Sequence, residues 1–540
     1  MNALTGTAAL TRLALRRDRI TLPAWILGLA TFTAGTTALW ADQYRNMADL
    51  IQETQLAAAN PGIRMLGLAS GASVGAYAMI RNFVTLAVLA ALMSTFAVLR
   101  HTRQSEETGR AELIGAAVVG RHAGLTAALI VAVGANAVLA ATLGLAMIVA
   151  GQPAAGSLAA GAAVAAVGVA FAGVAAVTTQ LTSSSRTASG LAAAVLGVSF
   201  LTAGIGNMAG HIDPSGLRVE SAWPAWLLPI GWGQQMRPFG GNHWWPLGLA
   251  VALFLACTAA AALLAARRDF GQGLLPQHHG HAQASPALRS PLGLAWRLQR
   301  GPLLGWAVAM LGFGLVMGGL IGHVEDATGT ARDWYIQVGG SDQILNAYRA
   351  SIMQMAGMAA AIYAVQVLLH MRAEEANGPL EPILATAVSR LRWAASYAVT
   401  VSLGATALVL LFATGTGLAA GGVLGDPAEQ TSRLIVASLV QLPGILVIGA
   451  AVIATVGLVP RFAGVVSWAL LLASILIGPM FGPTLNLPQW AQDLSPFTHV
   501  PKAPAVAVTT WPVLALITVV AALAVAGLVS LRHRDLALPA

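Results

Sequence analysis

The chain has 540 residues, of which 57% are hydrophobic and only 9% charged, with a net charge of +8. Soluble domains are about 25% charged, so at a mean hydropathy of +0.72 this chain lacks the polar surface that a water-soluble protein needs. The basic balance reads as membrane topology, not nucleic-acid binding.

Stretches free of Asp, Glu, Lys and Arg follow one another at 20–41, 82–99, 122–185, 187–212, 238–266, 301–324, 350–371, 393–425, 434–460, 462–492 and 503–531. A membrane helix needs about 20 apolar residues to cross about 30 Å of hydrocarbon. Each stretch holds one span except 122–185, which is long enough for two and is interrupted by the turn-like GQPAAGS at 151–157. The expectation is an all-α polytopic membrane protein with twelve transmembrane helices. The stretches lack the alternation of a β-barrel. No small-residue cleavage site follows the first span, which reads as a retained signal anchor. With the N-terminus inside, 20 of the 29 basic residues fall on the inner side, while the acids divide 9 inside and 12 outside. By the positive-inside rule both termini are cytoplasmic.

The chain repeats itself. Before the first span it reads LALRRDRITLPAW, and before the seventh LAWRLQRGPLLGW; setting Trp25 on Trp306 pairs Arg16 with Arg297 and Arg19 with Arg300. After the second span comes the charged stretch LRHTRQSEETGRAELIGAAVVGR (99–121), and after the eighth LHMRAEEANGPLEPILATAVSR (369–390). Setting Gly109 on Gly378 pairs Arg103 with Arg372, Glu106 with Glu375, Glu112 with Glu381 and Arg121 with Arg390. Before the last span of each half come WPAWLLP and WAQDLSP, which pair Trp223 with Trp490, Leu227 with Leu494 and Pro229 with Pro496. Three anchors in the same order indicate duplication. Six spans per half make the repeats parallel, with the expected pathway between them. The boundaries read as a first six-helix repeat at 1–270, a Gly/Pro/His linker at 271–291 and a second repeat at 292–540.

The lead-in segments alternate leucines with Arg16 and Arg19, or with Arg297 and Arg300, as in helices that lie in the headgroup layer. In the first charged loop Arg103 and Glu107 stand at i, i+4, as do Glu106 and Arg110, which predicts a short salt-bridged helix. A merely solvated connection would not explain why both halves carry Arg-x-x-Glu-x-x-Gly-x-x-Glu. Gly109 and Gly378 allow a bend or a close backbone approach.

Several chemistries find no support. Lys502 is the only lysine, so the Gly-Lys-Ser/Thr of a phosphate-binding loop is absent and any ATP hydrolysis belongs to another chain. Cys257 is the only cysteine, which excludes an internal disulfide or cysteine metal cluster. His278, His279 and His281 form the one metal-like cluster, but they lie in the linker without acidic partners, so no metal site is expected. No Asp or Glu falls at mid-span where a proton-coupled transporter would hold one. Arg81 and Arg349 stand at the outer ends of the second and eighth spans, where interfacial anchoring is expected.

The charged RHTRQSEETGRAEL, the lead-ins LALRRDR and LAWRLQRG, and WLLPIGW before the sixth span resemble the fused permease of type 2 ABC exporters. The likeness is to the polyketide-antibiotic and multidrug exporter group of actinobacteria, and it runs along essentially the whole chain. It implies a permease of the bacterial cytoplasmic membrane that exports hydrophobic or amphipathic compounds by alternating access. Two copies of a cytosolic ABC ATPase would drive it, with ATP and Mg held there and no cofactor bound by this chain. The resemblance assigns ATPase coupling to Arg103, Glu106, Glu107, Gly109, Arg110 and Glu112, and to Arg372, Glu375, Gly378 and Glu381. In the second loop Pro379 and Pro382 replace Arg110 and Leu113; proline breaks helices, so unequal loops are expected. It also makes Trp223, Leu227 and Pro229, with Trp490, Leu494 and Pro496, parts of outer re-entrant segments. Membrane lipids and a hydrophobic small molecule are the other expected partners; apolar pockets leave no signature that names substrate-binding residues. The alternatives are a proton-coupled twelve-helix drug exporter and, in a third class, a membrane scaffold or lipid-modifying enzyme.

Overall fold

The computed structural model describes residues 2–535 apart from 270, 276–282, 284, 325–328, 377, 484 and 486. His278, His279 and His281, with the middle of the linker, lie outside the described residues. The chain divides into two compact units, Met1–Gly280 and His281–Ala540.

The first unit contains α1 (Thr7–Arg17), α2 (Thr21–Gln43), α3 (Val74–His101), α4 (Arg103–Glu107), α5 (Arg110–Gly115), α6 (Ala123–Val149), α7 (Ala154–Leu181), α8 (Ser185–Met208), α9 (Pro229–Gln235) and α10 (Pro246–Arg267). The second contains α11 (Pro291–Gly319), α12 (Ile344–Ala376), α13 (Leu380–Leu384), α14 (Arg390–Leu424), α15 (Pro427–Leu439), α16 (Leu442–Leu458), α17 (Ala463–Ile477) and α18 (Thr510–His533). Starts follow local chemistry. Ser73 caps α3 through the Ala76 amide, Ser389 caps α14 through Arg392, and Asp426 caps α15 through Glu429, each satisfying an amide that lacks an intrahelical partner. Among the described residues the only paired strands form a hairpin of His211–Ile212 with Val219–Glu220.

Among the described residues eleven helices are long and apolar enough to cross a membrane, Pro427–Leu458 counting as one span. The remaining expected span is α17, whose 15 residues fall short of that length. Gly478, Pro479, Gly482 and Pro483 follow it, and proline cannot continue a helix. The turn read at 151–157 is also shorter than its sequence suggested, because α7 already begins at Ala154.

Both units pack alike. In the first, α2 lies on α6, α3 on both α6 and α7, and α7 on α10; in the second, α11 lies on α14, α12 on both α14 and α16, and α16 on α18. The second and fourth spans are the most enclosed, 67% and 78% in the first unit and 72% and 67% in the second, whereas the last span of each is 11% buried. Apolar helices left so bare face lipid. Close approach at the enclosed helices depends on small residues: a Cβ on Gly161 of α7 would lie 2.1 Å from the Ala140 carbonyl of α6.

The lead-ins differ. In the first unit α1 ends at Arg17 and α2 begins at Thr21, whereas in the second the corresponding residues run without a break through α11. At the matching positions stand Asp18 and Gln299, both buried.

Candidate functional site

Arg103 begins α4 directly below the end of α3, and it points inward with 1% of its surface exposed. Its Nε and Nη2 donate to the Thr179 carbonyl at 3.0 and 2.5 Å, near the end of α7, and Nη2 reaches the Gln272 carbonyl at 3.2 Å. Nη1 pairs with Glu106 Oε2 at 2.8 Å. Glu106 in turn holds Arg268, just past the end of α10, through Oε1 at 2.5 Å and Oε2 at 2.9 Å. Arg268 Nε donates to Gln180 Oε1 at 2.6 Å. The loop is thereby bolted to the ends of the fourth and sixth spans of its unit.

The second unit builds the same clamp. Arg372 Nε donates to the Pro460 carbonyl at 3.0 Å, in the turn after α16, and Nη1 lies 3.3 Å from Glu375 Oε2. Glu375 takes Arg534, just past α18, in a two-pronged pair at 2.6 and 2.7 Å. Such forked contacts are the strong form of the ion pair. The other aligned arginines also match: Arg121 Nη2 donates to the Ala265 and Ala266 carbonyls at 3.0 and 2.7 Å, and Arg390 Nη1 to those of Leu531 and Arg534 at 3.3 and 2.5 Å. A cation at a helix C-terminus satisfies carbonyls without intrahelical partners and complements the helix dipole. Arg268 and Arg534, the anchors of the clamp, were missed from the sequence. The signal was present as Arg-Asp after the sixth and the last span, Arg268-Asp269 and Arg534-Asp535.

The expected i, i+4 pairs do not form. Arg103 takes Glu106 at i, i+3, and Glu107 accepts from the backbone amide and hydroxyl of Ser185, the first residue of α8. Thr102 breaks the helix there with ψ −94°, which turns Arg103 toward α7. Gly109 and Gly378 both adopt left-handed backbone, at φ 70° and 93°; a Cβ on either would meet nothing, so they are turn residues and no close approach is made. Glu107, Arg110, Glu112 and Glu381 are exposed, as is Leu113 at 80%. The prolines of the second loop do not break a helix: Pro379 caps α13 and Pro382 lies within its first turn, where the missing donor costs nothing. The loops are still unequal. In the first unit two short helices follow the break, whereas in the second α12 runs on through Arg372 and Glu375.

Beside the first clamp, Asp18 is 2% exposed and binds Arg100 Nη1 at 2.5 Å and His101 Nε2 at 2.6 Å, tying the lead-in to the end of α3. Burial raises its carboxyl pKa, but the hydrogen bonds from His101 and Arg100 outweigh burial and hold the group below its ordinary value. The second unit instead buries Glu374, which accepts from Trp393 Nε1 at 2.9 Å and Tyr397 OH at 2.6 Å. Arg16, Arg19, Arg297 and Arg300 are all exposed, the condition for reaching a headgroup layer.

At the opposite end, between the fifth and sixth spans, Trp223 and Trp490 are 73% and 70% exposed, and Leu227 and Leu494 also face outward. Pro229 opens the buried α9, whose Ile230 amide donates to Ser199 Oγ at 3.1 Å. Pro496 opens only a single turn, Pro496–His499, and Ser495 Oγ donates to the Ser474 carbonyl at 2.7 Å. Arg349 departs from its expected place as an anchor: it is buried and donates to Asn346 Oδ1 at 3.1 Å and Gln430 Oε1 at 2.9 Å.

These features define a multi-pass α-helical membrane protein whose two halves pack alike and clamp their loops alike. Residues 288–532 match the family described as "Multidrug efflux system permease Rv1217c, C-terminal domain". The chain is 36% identical over 545 residues to the multidrug efflux system permease protein Rv1217c of Mycobacterium tuberculosis, an alignment covering 99% of this chain and 96% of that protein. The chain belongs to this family of multidrug efflux permeases, multi-pass proteins of the cell membrane.

Proposed function

We propose that the chain is the membrane subunit of an ABC exporter that moves hydrophobic or amphipathic drugs by alternating access, driven by a separate cytosolic ATPase dimer. The observation that carries this reading is the duplicated clamp. A loop that only joined two spans would need no buried arginine. A loop that receives force from another protein must be stiffly joined to the helices it moves; Arg103–Glu106–Arg268 joins the first loop to two of them, and Arg372–Glu375–Arg534 joins the end of α12, from which the second loop leaves, to two others. The assigned coupling residues then divide in two. Arg103, Glu106, Arg372 and Glu375 hold the loop, Gly109 and Gly378 turn it, and Glu107, Arg110, Glu112 and Glu381 form its exposed side with Leu113. Only the exposed set meets the partner.

The absence of a Walker lysine in this chain supports a separate source of ATP hydrolysis. The test is affinity purification of the full chain from its native membrane. Two copies of a nucleotide-binding chain per permease, with transport that requires ATP, are expected. Transport by the chain alone that collapses with the proton gradient would replace this reading with the proton-coupled one.

A further inference from the structure

At the loop end of the first unit a cavity of about 480 Å³ opens between α1, the loop, the start of α6 and the end of α10. Its apolar wall includes Leu10 and Leu13 of α1 and Leu125 of α6; its polar wall includes Arg17, Arg121 and His122. The acids at its rim are Glu106, already paired with Arg103 and Arg268, and Asp269. Arg17 makes one long contact, 3.5 Å to Ser105 Oγ. Burial, then repulsion from Arg110 and Arg100, pushes its guanidinium below the ordinary value against an opposing pull from Asp18. His122 Nδ1 is buried with no hydrogen-bond partner among the described residues. The second unit has a different groove, of about 610 Å³, at the starts of α11 and α14, where Arg289 and Arg392 stand beside Leu292 and Val399 at positions that do not match Arg17 and Arg121.

We propose that the cavity beneath α1 binds an anionic phospholipid of the adjoining leaflet. The guanidinium of Arg17, with Arg121 and the His122 ring, takes the phosphate, since planar donor forks match its oxygens. An acyl chain lies along Leu10, Leu13 and Leu125. The exposed leucines of α1, Leu13 at 53% and Leu15 at 51%, place the opening where a helix of this kind meets the membrane surface. The arginines attract the phosphate and repel the ammonium group of a zwitterionic lipid, and the leucine wall takes a tail that a free anion lacks, so an anionic lipid fits best.

The test uses the full chain in detergent with a fluorescent short-chain phosphatidylglycerol, competed by unlabelled phosphatidylglycerol, phosphatidylcholine or glycerol 3-phosphate. Phosphatidylglycerol should compete about tenfold or more better than either alternative. Arg17→Ala should weaken binding about fivefold or more, Arg17→Lys should restore most of it, and Arg12→Ala, on the same helix but outside the cavity wall, should leave it unchanged. Gly124→Phe, at a position where a Cβ meets nothing within 4 Å, should fill the cavity and exclude the lipid, with an unchanged melting temperature showing that the variant is folded. Equal losses from Arg12→Ala and Arg17→Ala, equal competition by phosphatidylcholine, full competition by glycerol 3-phosphate, or unchanged binding in Gly124→Phe would each overturn the proposal. No ATPase is present in the assay, so its outcome is separate from that of the docking experiment.

Discussion

Replacing Glu106 with alanine strands two arginines at once. Arg103, with a fully buried side chain, and Arg268, 10% exposed, both lose their carboxylate, although Arg103 keeps the Thr179 and Gln272 carbonyls. Removing one partner of a buried ion pair costs about 3–5 kcal/mol, and the lower end applies here because carbonyls still solvate Arg103. At about 2–4 °C per kcal/mol for a unit of this size, the expected fall in melting temperature is about 6 °C or more. Cys257, the only cysteine, is half-buried in α10, the helix that Arg268 follows. A thiol-reactive fluorophore therefore reports release of that helix directly. Arg268→Met in the Glu106→Ala background should recover part of the loss, because it removes one stranded charge; the resulting cycle measures the coupling. Glu107→Ala, which loses an exposed cap on α8, should cost only about 0.3–1 kcal/mol. If Glu106→Ala melted no earlier than Glu107→Ala, the clamp would not be what holds the loop.

Four further outcomes are expected. The Asp18 carboxylate titrates in the folded protein below its ordinary value of 3.8, so its stabilisation is complete above that pH and drains away as pH falls through the folded value. Wild type should therefore melt above Asp18→Asn by a constant margin near neutrality, and the margin should close in acid when followed by tryptophan fluorescence. Gly109→Val puts a β-branched side chain at φ 70° and should cost about 1–2 kcal/mol in the same thiol assay, with Gly109→Asn close to wild type. Gly161→Leu should separate α6 from α7 and lower stability by about 3 kcal/mol, seen as reduced folded yield on size-exclusion chromatography. Charge reversal of exposed Glu112 and Glu381 should leave the melting temperature within about 1 °C of wild type while reducing recovery of the proposed ATPase partner; undiminished recovery would place docking elsewhere.

The spans, their number to within one short helix, and the repeat were legible in the amino-acid order because each is a local property. A run without charge can only be buried or face lipid, and matched motifs announce duplication without any folding. The loops were legible as special for the same reason: charge is scarce in this chain, so its recurrence at Arg103/Arg372 and Glu106/Glu375 stood out. Which way those side chains point was not legible. A helix with Arg and Glu four apart reads as a solvated face, yet the break at Thr102 turns Arg103 under α7. The partners of Glu106 and Glu375 lie 162 and 159 residues further on, and the Arg-Asp that marks Arg268 and Arg534 does not say which carboxylate either arginine reaches. Composition determined the solvent, and periodic absence of charge determined the helices. Only the packing of the second span on the fourth, and of the fourth on the sixth, brought the two arginines to one carboxylate, because an ion pair is decided by where helix ends meet in space, not by their order along the chain.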